Sequence, residues 1–266
     1  MFEIRRFQLF EFNDQSWFPS LLRESFNDAL AMTHAVYAPY GRAALAIADW
    51  MSRTPPESEI LDLGSAGGRH IVSVLSAARR QGIAMHRFVL SDLYPAVDAW
   101  RLVQAEVGAE HCRYLPEPVS ALAVPADAPR YRTLFTAFHH FPPAAARELL
   151  ADFCRSSGDG LCIAEYLDRG YYNLLMVLLA APFYLLIPFF AKKNRLLKFL
   201  ISTLIPIVPV LFVWDGLVST LRAYKVDEVR AMLPSDAEGC FDVVVRSVWF
   251  GLAPLKSRLI FITRKV

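Results

Sequence analysis

The 266-residue sequence has only four cysteines, Cys112, Cys154, Cys162 and Cys240, and they lie far apart. That spacing offers neither a zinc site nor a disulfide framework, so reduced thiols in a cytosolic compartment are expected. Charge of one sign is lacking too. The 28 basic and 26 acidic residues are mixed along the chain and leave a formal net charge of +2. No basic field for a duplex results, and no nucleic-acid partner is expected. The opening stretch MFEIRRFQLFEFNDQSWF has no uninterrupted apolar core, which argues against a secretory signal.

Apolar residues are abundant. They make up 55% of the chain, and the mean hydropathy is +0.30, high enough to call for a concentrated apolar segment. Residues 170–191, GYYNLLMVLLAAPFYLLIPFFA, carry no charge; KKNRLLK follows, and then FLISTLIPIVPVLFVW up to Asp215. The first run is long enough to cross a bilayer, whereas the second falls short of the roughly 20 residues required. Both flanks feed one sheet, so crossings number two or zero, and two would put the basic loop on the outer face against the positive-inside tendency. Pro182, Pro188, Pro206 and Pro209 are also expected to interrupt the helices. An insert lying along or dipping into the cytoplasmic leaflet follows, with Lys192, Lys193, Arg195 and Lys198 facing anionic headgroups. A buried helical cap or a homodimer interface is the alternative.

Residues 19–52 repeat apolar positions at three and four, a helical pattern broken near Pro39 and Gly41. From residue 59 short β-rich runs alternate with helical ones: EILDLGS, IVSVLSAARRQG, HRFVLSDL, PAVDAWRLVQAEVG, HCRYLP, YRTLFTAF, PPAAARELLADFCRSSG and GLCIAEYL. Strands spaced by helices build a parallel sheet covered on both faces. The final runs, CFDVVVRSVWF and SRLIFITRKV, are too close for a crossover and must pair antiparallel. The predicted fold is α/β: a doubly wound, mostly parallel seven-stranded sheet with an antiparallel C-terminal hairpin, N-terminal helices and an apolar helical insert. The expected segments are 1–52, N-terminal helices; 53–169, the sheet core; 170–214, the insert; and 215–266, completion of the sheet.

In EILDLGSAGGRH a strand ends in an acid and turns through small residues into a helix, which sets backbone N–H groups beside a ligand at the carboxyl edge of the sheet. The dinucleotide fingerprint Gly-x-Gly-x-x-Gly does not fit Gly64-Ser65-Ala66-Gly67-Gly68. The segment Asp62-Leu63-Gly64-Ser65-Ala66-Gly67-Gly68 resembles the first motif of the class I S-adenosylmethionine-dependent methyltransferases. Ala66 stands where the middle glycine usually sits, acceptable if its φ is negative. FVLSDLYP ends the next strand in Asp92, where the family carries the acid that binds both ribose hydroxyls. VSALAVP resembles the family's segment near the adenine, with Ser120 in place of the acid.

The resemblance implies S-adenosylmethionine as cofactor, bound by Asp62, Gly64, Ser65, Ala66, Gly67, Asp92, Leu93, Ser120 and Ala137. Asp62 would orient the turn and help receive the methionine amino group. His139 and His140, in FTAFHHFPP at the end of the fourth strand, are the candidate catalytic bases, and alternation along an extended chain would face only one of them to the pocket. Alternatively both shape the loop or cap the next helix. Trp17 lies where many members carry a lid, so 1–52 would be a helical lid. Asp215 and Arg222, with Ser219 at helical spacing, are substrate candidates, or a cap tying the insert down. Glu165 is a further substrate candidate, or a partner for Arg169 or Arg222. The Asn/Asp-Pro-Pro-Tyr signature of base-amino methyltransferases is missing, and no acid cluster suggests a metal. The expectation is a methyltransferase acting on an oxygen or nitrogen, in preference to carbon, of a small lipophilic substrate. It would be cytoplasmic and peripheral to the inner face of the membrane. The alternative is a non-catalytic binding or membrane-scaffold protein that keeps the fold.

Overall fold

The computed structural model describes residues 4–37, 39–156, 158–191, 193–235, 237–250 and 255–265. The chain divides into two compact units, residues 1–37 with 167–224 and residues 38–166 with 225–266. Helix α1 (Ser20–Tyr37) belongs to the first, and α2 (Ala43–Met51) opens the second.

The second unit is built on seven strands: β1 (Glu59–Leu63), β2 (Arg87–Ser91), β3 (Cys112–Tyr114), β4 (Tyr131–Phe135), β5 (Gly160–Glu165), β6 (Phe241–Phe250) and β7 (Leu255–Arg264). Their order is β3-β2-β1-β4-β5-β7-β6; the first five run parallel, and β7 is antiparallel to both of its neighbours. The mostly parallel sheet with its antiparallel C-terminal pair is the predicted fold; the GLAP part of the hairpin turn, 251–254, lies outside the described residues. Strands β1, β2, β4 and β5 are buried along nearly their whole length, as parallel strands covered on both faces must be.

Three helices connect these strands. Helix α3 (Arg69–Arg80) starts from Gly68 and stops before Gly82, whose φ of +66° suits a glycine, with Arg79 and Arg80 at its negative end. Helix α4 (Val97–Val107) ends at Gly108, and α5 (Pro143–Arg155) begins with the proline pair, where no N–H is needed. Short helices α10 (Val226–Arg230) and α11 (Ala237–Cys240) lead into β6; the helices between α5 and α10 belong to the first unit. The core joins Ile47, Ile60, Phe88, Trp100, Phe135 and Phe261. Helix α2, grouped with the N-terminal helices on sequence, instead packs on the sheet: Trp50 lies 5.8 Å from Phe261 and its Nε1 donates to Thr263 Oγ1 at 3.2 Å.

The first unit combines α1 with the apolar insert. The insert comprises α6 (Tyr171–Ala180), a 3-10 segment Ala181–Leu186, α7 (Ile187–Phe190), α8 (Arg195–Phe199), a π-helical turn Leu200–Leu204, and α9 (Ile207–Arg222). Its core contains Phe18, Phe26, Met32, Tyr184, Ile187 and Val208. Pro182 and Pro188 open new short segments, and Pro206 precedes α9. Pro209 does not interrupt: it sits in the first turn of α9, where N–H groups have no partner within the helix. Because α9 is continuous, Asp215 to Arg222 belong with the insert rather than with the completed sheet.

By length and composition, the stretch Tyr171–Phe190 suffices to cross a membrane, with a mean hydropathy of 2.1 and 22% of it buried. The segments Arg195–Leu204 and Ile207–Arg222 qualify only together, and they are bent by 70°. Of the four basic residues expected to face headgroups, Lys193 and Arg195 are exposed, and Lys192 lies outside the described residues. Lys198 is a correction. It is 2% exposed, and its Nζ lies 2.5 Å from Asp28 Oδ2 and 4.0 Å from Glu24, because the face of α8 that bears it packs inward, where a charge needs a partner.

Within the same unit, Asp215 and Arg222 hold the N-terminal strap. Asp215 is buried and accepts backbone N–H groups from Phe12 at 2.8 Å and Asn13 at 2.9 Å. Burial pushes its carboxyl up to about 7 against the pull of those two bonds, with Glu11 and Asp14 adding to the rise. The raised value sets the sign of a pH effect. Below about pH 4 both folded and unfolded states are protonated; between about 4 and 7 only the unfolded state ionises, so stability falls as pH rises through that window. Asp215→Asn cannot titrate and loses one acceptor. The melting temperature of the natural protein is therefore expected to fall relative to the variant's between pH 5 and pH 8; parallel curves would refute the shift.

Candidate functional site

The site grows from the carboxyl end of β1. Gly64 (φ +70°) and Gly68 (φ +72°) adopt the left-handed backbone that favours glycine. A Cβ on Gly64 would lie 3.1 Å from the Cβ of Ala137, and one on Gly68 would lie 3.0 Å from Leu90 Cδ1. Ala66 also has a positive φ, +44°, which corrects the expectation of a negative one. Two hydrogen bonds hold it there: its N–H donates to Asp92 Oδ2 at 2.8 Å, and its carbonyl accepts from Trp100 Nε1 at 2.7 Å. An L residue in this region costs roughly 1–2 kcal/mol, while glycine adds ~0.4–1 kcal/mol of unfolded-state freedom. Ala66→Gly is thus expected to stabilise by up to about 1.6 kcal/mol, read as a higher urea midpoint; a lower midpoint would mean that no strain is relieved.

Asp62 lies beneath this turn with no exposure. Its Oδ1 accepts from Thr133 Oγ1 at 2.7 Å, and its Oδ2 accepts from Ser65 Oγ at 2.6 Å and from His70 Nε2 at 2.8 Å. Because a carboxylate only accepts, His70 carries its proton on Nε2 here. Ser65 in turn donates its N–H to the Ser91 carbonyl at 2.9 Å, binding the turn to the end of β2. Asp62 therefore shapes the turn from below; it presents no oxygen to a ligand.

Asp92, just past β2, is partly exposed, and its Oδ1 accepts the N–H of Tyr94 at 2.9 Å. Desolvation raises its carboxyl above the ordinary range, opposed by the bonds from Tyr94 and Ala66 and by nearby His140. Each oxygen retains acceptor capacity beyond its backbone bond. The Val119 N–H donates to the Asp92 carbonyl at 2.9 Å, which brings the Ser120 segment alongside. Ser120 Oγ accepts from Leu122 N–H at 3.2 Å, and Leu93 is 51% exposed at the rim.

At the end of β4, Thr136 has a φ of +48°, an outlier for a β-branched residue. The chain then winds through a 3-10 turn, Phe138–His140, so the two histidines are not on an extended strand and the alternation expected of them does not apply. Their rings stack, with centroids 4.3 Å apart. His139 is buried, and Glu165 at the end of β5 takes both its Nδ1 (3.0 Å) and its backbone N–H (3.2 Å). The carboxylate accepts a proton held on Nδ1, which leaves Nε2 as the nitrogen turned away from Glu165.

No family model matches the chain, and no curated protein does either. Solved structures do. Magnesium protoporphyrin IX methyltransferase from Synechocystis PCC 6803 aligns with a TM-score of 0.50 and 11% identity over 86% of this chain and 84% of its own. Human N-acetylserotonin methyltransferase gives 0.51 and 15% over 90% of this chain. An O-methyltransferase family 2 protein from Planctomyces limnophilus gives 0.51 and 14% over 91%. This chain spans 55% and 62% of the last two. It has the class I S-adenosylmethionine-dependent methyltransferase fold. Identities this low speak for the fold alone.

In this methyltransferase fold the carboxyl ends of β1, β2, β4 and β5 gather Gly64 to Gly68, Asp92, Ala137, His139, His140 and Glu165 in one unit. Trp17, Asp215 and Arg222 lie in the other. Trp17 is 64% exposed beside Phe12. Asp215 and Arg222 are corrections as substrate groups, since burial and the strap occupy them. Arg222 Nη1 reaches Asp14 at 2.6 Å and Glu11 at 3.1 Å, and its Nε donates to the Leu9 carbonyl at 2.7 Å. Glu165 faces His139. His70, Thr133, Trp100, Tyr40 and Thr136 join the site without a motif to mark them. Only His70, on the first turn of α3, lies near the motif; Thr133 meets Asp62 through strand register, which no local signal encodes.

Proposed function

We propose that this chain is an S-adenosylmethionine-dependent methyltransferase that acts on an oxygen or nitrogen, in preference to carbon, of a small lipophilic substrate. The observation that carries it is the turn Gly64–Gly68 hydrogen-bonded to Asp92, with the His139–Glu165 pair on the neighbouring strand ends. The Synechocystis enzyme was solved with S-adenosylhomocysteine and the human one with S-adenosylmethionine, and the residues present here fit that ligand. The missing Cβ of Gly64 leaves room beside Ala137 for the methionine end, while that of Gly68 lets the turn pack on Leu90 and Trp100. Asp92 would accept from the ribose hydroxyls, Ser120 would serve the adenine end, and Leu93 and Ala137 would line the walls. Bound there, S-adenosylmethionine would supply an electrophilic methyl group with a thioether as its leaving group. His139 Nε2 takes the proton of the acceptor, and Glu165 stabilises the resulting imidazolium through Nδ1. Alignment alone supplies much of the acceleration.

The exposed apolar side chains of the insert, among them Leu178, Phe189, Leu196 and Leu204, favour seating on the cytoplasmic leaflet, with Lys193 and Arg195 toward headgroups. A lipophilic substrate would be drawn from the same leaflet.

Binding is tested by titrating the protein with S-adenosylhomocysteine. A ligand at 100 times its Kd adds about 2.7 kcal/mol to folding, seen as a higher melting temperature; no shift and no calorimetric heat would overturn the reading. Against a panel of hydroxyl and amine acceptors, His139→Ala should lose roughly 10²–10⁴ in turnover with the thermal shift intact. Turnover unchanged would remove the base, and binding without turnover by the natural protein would favour a non-catalytic scaffold. Flotation with anionic liposomes checks the leaflet assignment, and a detergent-free soluble protein that does not float would refute it.

A further inference from the structure

Thr136 is the one described β-branched residue with a positive φ, and it stands directly before the turn that carries His139 and His140. Two hydrogen bonds fasten it, and a third ties their partners together. Its N–H donates to the Ala164 carbonyl at 2.7 Å. The hydroxyl of Tyr40 contacts Thr136 Oγ1 and reaches the same Ala164 carbonyl at 3.1 Å. The carbonyl can only accept, so Tyr40 donates to it and receives the Thr136 hydroxyl proton. Amide and side chain of Thr136 are thereby fastened to a single point on β5. Tyr40 itself is 1% exposed, with its ring edge-on to Phe135 at 5.1 Å and Tyr166 at 5.7 Å, so its hydroxyl has a fixed position.

The consequence lies one residue on. The Cβ of Ala137 is 3.1 Å from where Gly64 would carry its own, so the turn after Thr136 forms a wall against the glycine loop. A threonine freed from its hydroxyl bond would relax toward negative φ, where β-branched residues belong, and would swing Ala137 and the histidine turn away from that loop.

We propose that Tyr40 is a positioning residue: its hydroxyl clamps Thr136 in the left-handed conformation and so fixes the Ala137–His140 wall against which the methyl donor is held. This rests on the methyltransferase reading for its ligand, though the clamp itself is a property of the protein without ligand. Tyr40 touches neither donor nor acceptor; it acts through the backbone of Thr136.

The test is a double-mutant cycle with glycine as the rescuing residue. S-adenosylhomocysteine Kd is measured calorimetrically for the natural protein, Tyr40→Phe, Thr136→Gly and the double variant. Tyr40→Phe keeps the ring and should weaken binding roughly five- to tenfold. In the Thr136→Gly background the same change should weaken it less than twofold, because glycine takes a positive φ unaided. Equal losses in both backgrounds would reduce Tyr40 to a packing residue and overturn the proposal, as would no loss in the first. Amide hydrogen exchange at 137–140 in ligand-free protein gives a second readout: faster exchange in Tyr40→Phe that the double variant abolishes supports the clamp, and unchanged exchange refutes it. If the natural protein binds no S-adenosylhomocysteine, the functional reading fails while the exchange cycle still decides the clamp. Should Tyr40→Phe not fold, Thr136→Val removes the other hydroxyl and keeps the branch. It should match the loss, and natural affinity and exchange in that variant would overturn the proposal.

Discussion

Asp92→Ala is expected to remove measurable binding of S-adenosylhomocysteine. The carboxylate serves two ends at once. It accepts the Ala66 N–H, which helps keep the loop in its left-handed course, and in the proposed reading its remaining lone pairs would accept from the ribose. Hydrogen bonds to a charged group are worth about 1.5–3 kcal/mol each. Losing two to the ribose gives roughly two to four decades in Kd, before any loosening of the loop is counted. Asp92→Asn should fall between, because an amide offers one acceptor oxygen where the carboxylate offers two. A Kd within threefold of the natural protein's in the alanine variant would detach this residue from the ligand.

The second large effect is structural. Arg222→Met should lower folding stability by about 3–5 kcal/mol, roughly a 10 °C fall in Tm for a chain of this size. The guanidinium is 4% exposed and bridges Glu11, Asp14 and the Leu9 carbonyl, while Arg6 donates to its own carbonyl at 2.7 Å. Glu11 is 2% exposed, so removing the cation leaves a carboxylate buried without the charge that faces it. Adding Glu11→Gln to the variant should recover part of the loss, since the amide carries no buried charge to be balanced by the lost cation. A single variant as stable as the parent would show that water already reaches the cluster.

The parts legible in the sequence were those written in local pattern. EILDL, RFVLS and GLCIAE are apolar runs bounded by turn residues, and they became β1, β2 and β5. The short link between the last two strands forced their antiparallel pairing. The glycine turn and Asp92 stood out because a motif is a contiguous signal. What stayed hidden depended on distance along the chain. Tyr40 and Thr136 are 96 residues apart, and Arg222 meets Glu11 across 211. Helical spacing placed Asp215 and Arg222 on one face correctly, yet it could not tell a face turned to a substrate from one turned to the N-terminal strap. Lys198 differs from its sequence expectation for the same reason: it sits in a run rich in basic residues, and the fold turns it toward Asp28.

The order of strands has a consequence during synthesis. Strand β7 lies between β5 and β6, yet it follows both in the chain. Nascent β5 must therefore wait, one edge bare, while Leu167–Tyr224 emerges ahead of the strand that will close it. The greasiest stretch of the polypeptide is thus displayed to chaperones and bilayers before the sheet is whole, and whatever first receives it has a head start over the rest of folding.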